Sequence, residues 1–287
     1  MRIPIDGNDT FVANGGRDFD RNLPAIVFLH GAGMDHSVWA LLARAFAHHG
    51  HAVLAPDFPG HGHSAGEPLT SIAALADWTA ALIDASGAKK ARLVGHSMGS
   101  LVALETAARH PGKVTGLGLI STAATMRVSA DLLSAAKTND RAAIDMMAIW
   151  SEGYRATLGG SQAPGLWMLG GAERLFERAR PGVISAGLVA SNGYQDALSA
   201  AGKIDVPAIV IQGSRDLMTP AKGAKALAAA MPNCRLAVIE GAGHMLMSER
   251  PDEVLAALRS QGHSKPPPAH RHDRESPSGE DVPRSLT

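Results

Sequence analysis

An alternation along the chain limits its fold more than any other feature. Short apolar runs recur at Ala25–Leu29, Ala52–Ala55, Ala91–Val94, Val114–Ile120, Ala208–Ile211 and Leu236–Ile239. They are rich in Val, Ile and Leu and show no polar alternation, as strands buried on both faces do. Between them the apolar residues repeat at helical spacing. His36–His49 carries Trp39, Leu42, Ala43 and Phe46 on one stripe, and Ser71–Ala85 carries Ile72, Leu75, Trp78, Leu82 and Ile83. Met98–Arg109, Pro220–Met231 and Pro251–Arg259 complete the set. Strand and helix in turn predict an α/β fold, a mostly parallel central sheet flanked by helices. Thr10–Ala13, turned by Asn14-Gly15-Gly16, is expected to add an antiparallel edge strand.

The alternation breaks between Ala123 and Gly202. This stretch is helix-like but interrupted by Gly159-Gly160 and Gly170-Gly171, and it holds Trp150, Tyr154, Trp167, Phe176 and Tyr194. So many aromatic side chains need something to pack on, so a helical insertion over one end of the sheet is expected. The division is then 1–122 for the first part of the core, 123–202 for the insertion, 203–262 for the second part and 263–287 for a tail. The tail, opened by Pro266-Pro267-Pro268, is polar and charged and is expected to be disordered.

Lys and Arg number 27, as do Asp and Glu. That balance argues against a nucleic-acid partner held by phosphate contacts. No apolar run approaches the roughly 18 residues of a membrane span, so no membrane association is expected. Met1–Gly7 lacks an apolar signal core, so a cytoplasmic location is expected. The single cysteine, Cys234, excludes an internal disulfide and a multi-cysteine metal site, and it reads as a buried strand thiol. The sequence leaves the oligomeric state open.

The motif richest in chemistry is Gly95-His96-Ser97-Met98-Gly99, which follows the run ending at Val94 and opens the helix to Arg109. This is G-x-S-x-G in the strand–turn–helix setting that makes it meaningful. A serine lifted above a strand end needs a very tight turn, and side chains two positions away on either side would collide with strand and helix. A serine hydroxyl also needs a base. Of thirteen histidines, His244 stands apart. It follows the last strand run through Gly241-Ala242-Gly243, at the strand end where parallel α/β proteins place ligands. Asp216 follows the preceding strand at the same end and is the candidate orienter of the base. Asp205 lies at the opposite edge, and Asp57, opening Asp57–Ser64, reads as an aspartate holding loop backbone. Backbone N–H groups of Met98 and of Ala32, in His30-Gly31-Ala32-Gly33, are the candidate oxyanion donors. His30 reads as a brace for that loop.

Together, His30–Gly33, Asp57–Ser64, Gly95–Gly99, Gly213–Asp216 and Gly241–His244 resemble the α/β-hydrolase superfamily over about Thr10–Gln261. The resemblance implies that the insertion is the family's helical cap. It implies a serine-nucleophile esterase or lactonase-like branch, since dehalogenases and epoxide hydrolases carry aspartate at the position of Ser97. The N-terminal strands of the family are usually longer than Met1–Asn22 allows, which would trim one sheet edge. No dinucleotide fingerprint, phosphate loop or metal cluster appears, so neither cofactor nor metal is implied.

The expected function is hydrolysis of a small-molecule carboxylic ester or lactone with an apolar acyl part, through an acyl-enzyme on Ser97. The same triad could serve carbon–carbon bond hydrolysis, acyl transfer or perhydrolysis, and a binding module without turnover is a further alternative. Gly31, Met34, Trp39, Trp150, Met218 and Met245 are the candidate pocket residues, although core packing explains the methionines equally simply and the tryptophans more simply. Arg127, Arg155 and Arg174 could hold a substrate carboxylate or merely face solvent. Truncation after Gln261 is expected to leave the melting temperature and esterase activity nearly unchanged, which thermal unfolding and an ester assay would check.

Overall fold

The structure, a computed structural model, describes residues 1–160 and 167–260; the expected tail lies outside the described residues. Eight strands form one sheet: β1 (Arg2–Ile5), β2 (Asn8–Ala13), β3 (Ala25–Leu29), β4 (Ala52–Pro56), β5 (Ala91–His96), β6 (Val114–Ile120), β7 (Ala208–Gly213) and β8 (Cys234–Ile239). Their order is β1-β2-β4-β3-β5-β6-β7-β8. From β4 to β8 across the sheet the strands run parallel, while β1 and β2 are antiparallel.

Helices α1 (Ala40–Ala47), α2 (Ile72–Ala85) and α3 (Met98–Arg109) alternate with the early strands. Six more, α4 (Ala130–Lys137), α5 (Arg141–Ser151), α6 (Tyr154–Thr157), α7 (Met168–Glu177), α8 (Val183–Gly193) and α9 (Ala197–Ala201), intervene between β6 and β7. The last helices among the described residues are α10 (Ala221–Ala229), α11 (Leu246–Glu249) and α12 (Pro251–Arg259). Among the described residues no helix is long and apolar enough to cross a membrane.

The inner strands are covered on both faces; every residue of β3, β4 and β7 is buried. Their uninterrupted apolar runs follow from that position. The strand order reverses at β3, which has β4 on one side and β5 on the other. Such a switch point opens a crevice beyond the carboxyl ends of the strands. The loops after β3, β5, β7 and β8 all end there.

Two edges differ from expectation. The N-terminal segment is long enough for a hairpin, so β2 pairs inward with β4 and β1 forms the edge outside it. The sheet is not trimmed. At the other edge β8 has a neighbour on one side only among the described residues, and Leu236 and Val238 are exposed. It is not a strand buried on both faces, and Cys234, its first residue, is half-buried. The helix expected at His36–His49 divides into a short 3₁₀ turn, His36–Trp39, capped by the Asp35 side chain, and α1.

The turn at Ser97 shows why its glycines are needed. A Cβ on Gly95 would lie 2.0 Å from the Gly99 carbonyl oxygen, and one on Gly99 would lie 2.1 Å from the Leu29 carbonyl oxygen. Those neighbours are backbone and cannot yield cheaply. Gly99→Ala is therefore expected to destabilise by roughly 2 kcal/mol or more, a fall of at least about 5 °C in melting temperature. Gly112→Ala, with nothing within 4 Å of the added carbon, should leave it unchanged. Thermal unfolding of the two variants checks this.

Candidate active site

Ser97 sits between β5 and α3 with φ +52° and ψ −119°. This is a sparsely populated region for a residue with a side chain, and it costs of order 1–3 kcal/mol. The Ser97 N–H donates to the Ile120 carbonyl at 3.0 Å, and its own carbonyl accepts from the Ser100 N–H at 2.9 Å. The turn is thus held from β6 and from the first turn of α3. Met98 opens α3, so its N–H has no intrahelical acceptor. Ala32, on the loop after β3, lines the same cavity as Ser97. A Cβ on Gly31 would come within 3.4 Å of the Ser97 Cβ and 3.0 Å of His96 Nδ1, so that loop lies directly against the turn.

Asp216 and His244 meet as their strand ends suggest. His244 Nδ1 lies 2.9 Å from Asp216 Oδ2. Asp216 also accepts from the Gln212 side-chain amide at 2.9 Å, the Thr219 hydroxyl at 2.7 Å, and the Met218 and Thr219 N–H groups at 2.9 and 2.8 Å. Burial by itself would raise its pKa, but the charge and hydrogen bond of His244, with the Thr219 donors, overrule that and bring it to about 2. An ionised carboxylate only accepts, so Nδ1 of His244 carries a proton, and in the neutral imidazole the lone pair is then on Nε2. His244 Nε2 is buried with no hydrogen-bond partner among the described residues, and His244 lines the same cavity as Ser97.

The other histidines here are braces. His96 Nε2 donates to the His244 carbonyl at 3.0 Å, and burial, then the nearby His244 charge, lowers its pKa to about 3. His30 accepts from the Phe58 N–H through Nε2 and donates to the Gly31 carbonyl through Nδ1; burial lowers its pKa and keeps it neutral. Asp57 is fully buried, and its carboxylate accepts from the His36 and His63 N–H groups and from His36 Nδ1. It ties two loops together and stands apart from His244. Asp35, His36 and Asp57 do bring potential ligand atoms within 4.8 Å, but Ser37, Arg178 and His63 already engage their oxygens. Asp205 is exposed at the opposite end of β7.

Beyond the serine lies a cavity of about 340 Å³. Of the candidate pocket residues, Met34, Trp150 and Met218 line it. Gly31, Trp39 and Met245 do not. Gly31 packs under Ser97. Trp39 is fully buried in the core against Phe28, since the 3₁₀ turn aims it at the sheet. Met245 is buried beside a smaller, separate cavity with Glu152. Met126 and Met147 join the wall with Leu132, Phe176 and Leu188. Of the arginines only Arg127 reaches it; Arg174 pairs with Glu177.

Several residues of the site were missed from sequence. Gln212 is a lone amide in an otherwise apolar strand, and Thr219 follows Asp216 by one turn of chain; those were the available signals. Ser121 donates to the His244 carbonyl at 2.7 Å from the end of β6, and nothing local marks it.

The α/β hydrolase fold family matches residues 24–251. A pimeloyl-[acyl-carrier protein] methyl ester esterase of Chromobacterium violaceum is 33% identical over 249 residues, covering 82% of this chain and 92% of that protein. The enol-lactonase from Burkholderia xenovorans LB400 superposes with a TM-score of 0.79 at 24% identity, over 91% of this chain and 98% of that one, a likeness of fold. Est816, described as an N-acyl homoserine lactone degrading enzyme, gives a TM-score of 0.75 at 25% identity over 91% and 99% of the two chains. With its parallel sheet, its serine turn and these relatives, the chain belongs to the α/β hydrolase family, among ester-hydrolysing enzymes.

Proposed function

We propose that Ser97, His244 and Asp216 form a catalytic triad that cleaves a carboxylic ester through an acyl-enzyme. The observation that carries this is His244 Nε2, buried without a hydrogen-bond partner among the described residues on a side chain that lines the same cavity as Ser97, while Nδ1 lies 2.9 Å from Asp216 Oδ2. Ser97 Oγ adds to the ester carbonyl as Nε2 takes its proton. The carbonyl oxygen becomes negative and is received by the Ala32 and Met98 N–H groups. Collapse of this intermediate expels the alkoxide, which takes the proton from His244. A water molecule then repeats the sequence on the acyl-enzyme and releases the acid. Asp216 keeps the imidazole in the productive tautomer and stabilises its charged form.

The substrate class follows from the wall. Its methionines and aliphatic residues suit an extended apolar acyl chain and adapt to its shape. The Chromobacterium violaceum relative is named a pimeloyl-[acyl-carrier protein] methyl ester esterase, and we assign this protein a short-alkyl ester of an acyl chain, with α4–α9 acting as the cap over that chain. A lactone is the second reading, favoured by the likeness to Est816. The working location we assign is the cytoplasm.

A fluorophosphonate probe is expected to label Ser97 stoichiometrically, with labelling and ester turnover both lost in Ser97→Ala; intact mass and peptide mapping check this. Asp216→Asn should fold and lose about 10⁴-fold in kcat, while Asp57→Asn should lower the melting temperature before it lowers kcat. An Asp216→Asn enzyme that retained turnover would remove Asp216 from the triad. Ser191→Leu fills the cavity from α8, where the hydroxyl bonds only to its own helix. It should shift preference toward shorter acyl chains by at least about tenfold in relative kcat/KM, as read from a chain-length series of p-nitrophenyl esters.

A further inference from the structure

We propose that Glu249 is a positioning residue that locks the inserted helices onto the loop carrying His244, so that both together seat the base. The inference rests on the reading of His244 as the base.

The backbone of His244 is held from two sides. Its carbonyl accepts from Ser121 Oγ at 2.7 Å and His96 Nε2 at 3.0 Å, both on the core. Its N–H donates to the Ser151 carbonyl at 2.9 Å, and the Met245 N–H donates to the same oxygen at 3.0 Å. Ser151 is the last residue of α5. Half of the seat of His244 therefore comes from the insertion.

Glu249 joins those halves. It lies five residues past His244 and is 3% exposed. Its carboxylate accepts the Gly243 N–H at 3.0 and 3.1 Å and the Gly153 N–H at 3.2 Å. One group thus grips the N–H of the residue immediately before His244 and the N–H of the residue two past Ser151. The fit leaves no slack: a Cβ on Gly243 would lie 2.3 Å from the Gly153 nitrogen, and one on Gly153 would lie 2.7 Å from Glu249 Oε2. A carboxylate suits this place because it accepts from both donors with charge-assisted bonds. A glutamine offers one oxygen and turns an NH₂ toward a donor. Glu152, 4% exposed, packs alongside, and burial and then the charge of Glu249 lift its pKa to about 8. Burial also raises the pKa of Glu249, and the Gly243 and Gly153 N–H groups and Arg250 oppose that rise, so the two gripped N–H groups are what favour the carboxylate form.

The test compares the full-length protein with Glu249→Asp, Glu249→Gln and Glu249→Leu. Active sites are counted by fluorophosphonate titration, so that kcat is expressed per titrated site, and melting temperature and KM are measured alongside. The expected result is a fall of tenfold or more in kcat per site for Glu249→Gln and Glu249→Leu. The rate of Ser97 labelling should fall in parallel, KM should stay within about twofold, and Glu249→Asp should recover part of the loss. If the loss is confined to melting temperature or to the number of titratable sites, with kcat per site that of the wild type, the proposal is overturned. Gly153→Ala presses on Glu249 from the insertion side and gives a second reading if the Glu249 variants do not fold; unchanged kcat per site there also overturns it. Failure of the esterase reading itself would show earlier and separately, as a wild-type protein that the probe does not label.

Discussion

The close approach of three backbones at the switch point of the sheet governs the rest of the site. β5 ends, turns and enters α3 so tightly that the position of a Cβ on Gly99 falls 2.1 Å from the Leu29 carbonyl oxygen of β3. That contact sets Ser97 above the sheet at φ +52°. It also puts the start of α3 beside the loop after β3, so that the Met98 N–H and the Ala32 N–H belong to one small region. Longer side chains at the two glycines would separate strand from helix and dissolve this arrangement. The strain at Ser97 is held by neighbours on both sides, the Ile120 carbonyl and the first turn of α3.

The second requirement is a buried charge that stays charged. Asp216 is almost fully buried, and burial disfavours a carboxylate. Five hydrogen bonds answer that cost, from Gln212, Met218, Thr219 twice and His244. Two of the donors are backbone N–H groups of the loop itself, so part of the stabilisation is built into the chain's path after β7. Because Asp216 remains an acceptor only, the tautomer of His244 follows without further instruction. His96 is neutral for the opposite reason: it is buried beside another imidazole and has only a carbonyl to bond.

These features differ in how far sequence reveals them. The serine turn, Asp216 and His244 were legible because each depends on a local pattern, an apolar run followed at once by glycines or an acid. The α3 boundaries, Met98 to Arg109, were legible for the same reason. The edges of the sheet were not. β8 carries an apolar run, Leu236–Ile239, much like that of β7, yet Leu236 and Val238 face solvent, because strand order is a non-local property. The pocket was legible only in part. Trp39 and Met34 are five residues apart on one loop, but the 3₁₀ turn between them sends Trp39 to the core while Met34 lines the cavity. Gln212, Ser121 and Glu249 act through partners 4, 123 and 6 positions away in their closest site contacts, and no spacing rule connects the longest of these.

The inserted helices are pinned to the core at separate points, and this shapes the route to the serine. At one side Arg178 bonds Asp35 and Ser37, and Arg180 bonds the Gly60 and Ser64 carbonyls, so the end of α7 is tied to the loops after β3 and β4. At another, Ser151 and Gly153 are tied to the His244 loop and Glu249. The exposed members of the cavity wall lie elsewhere. Arg127 and Ser129 precede α4, and Leu217 follows β7. The mouth therefore lies between the loop before α4 and the loop after β7, and Leu217 offers an apolar lip there while Arg127 offers a cation. Thr219 and Met218, on that same β7 loop, bond to Asp216 through their N–H groups. The strand end that holds the acid thus also forms one side of the cavity mouth, so the backbone that keeps Asp216 ionised lies beside that opening.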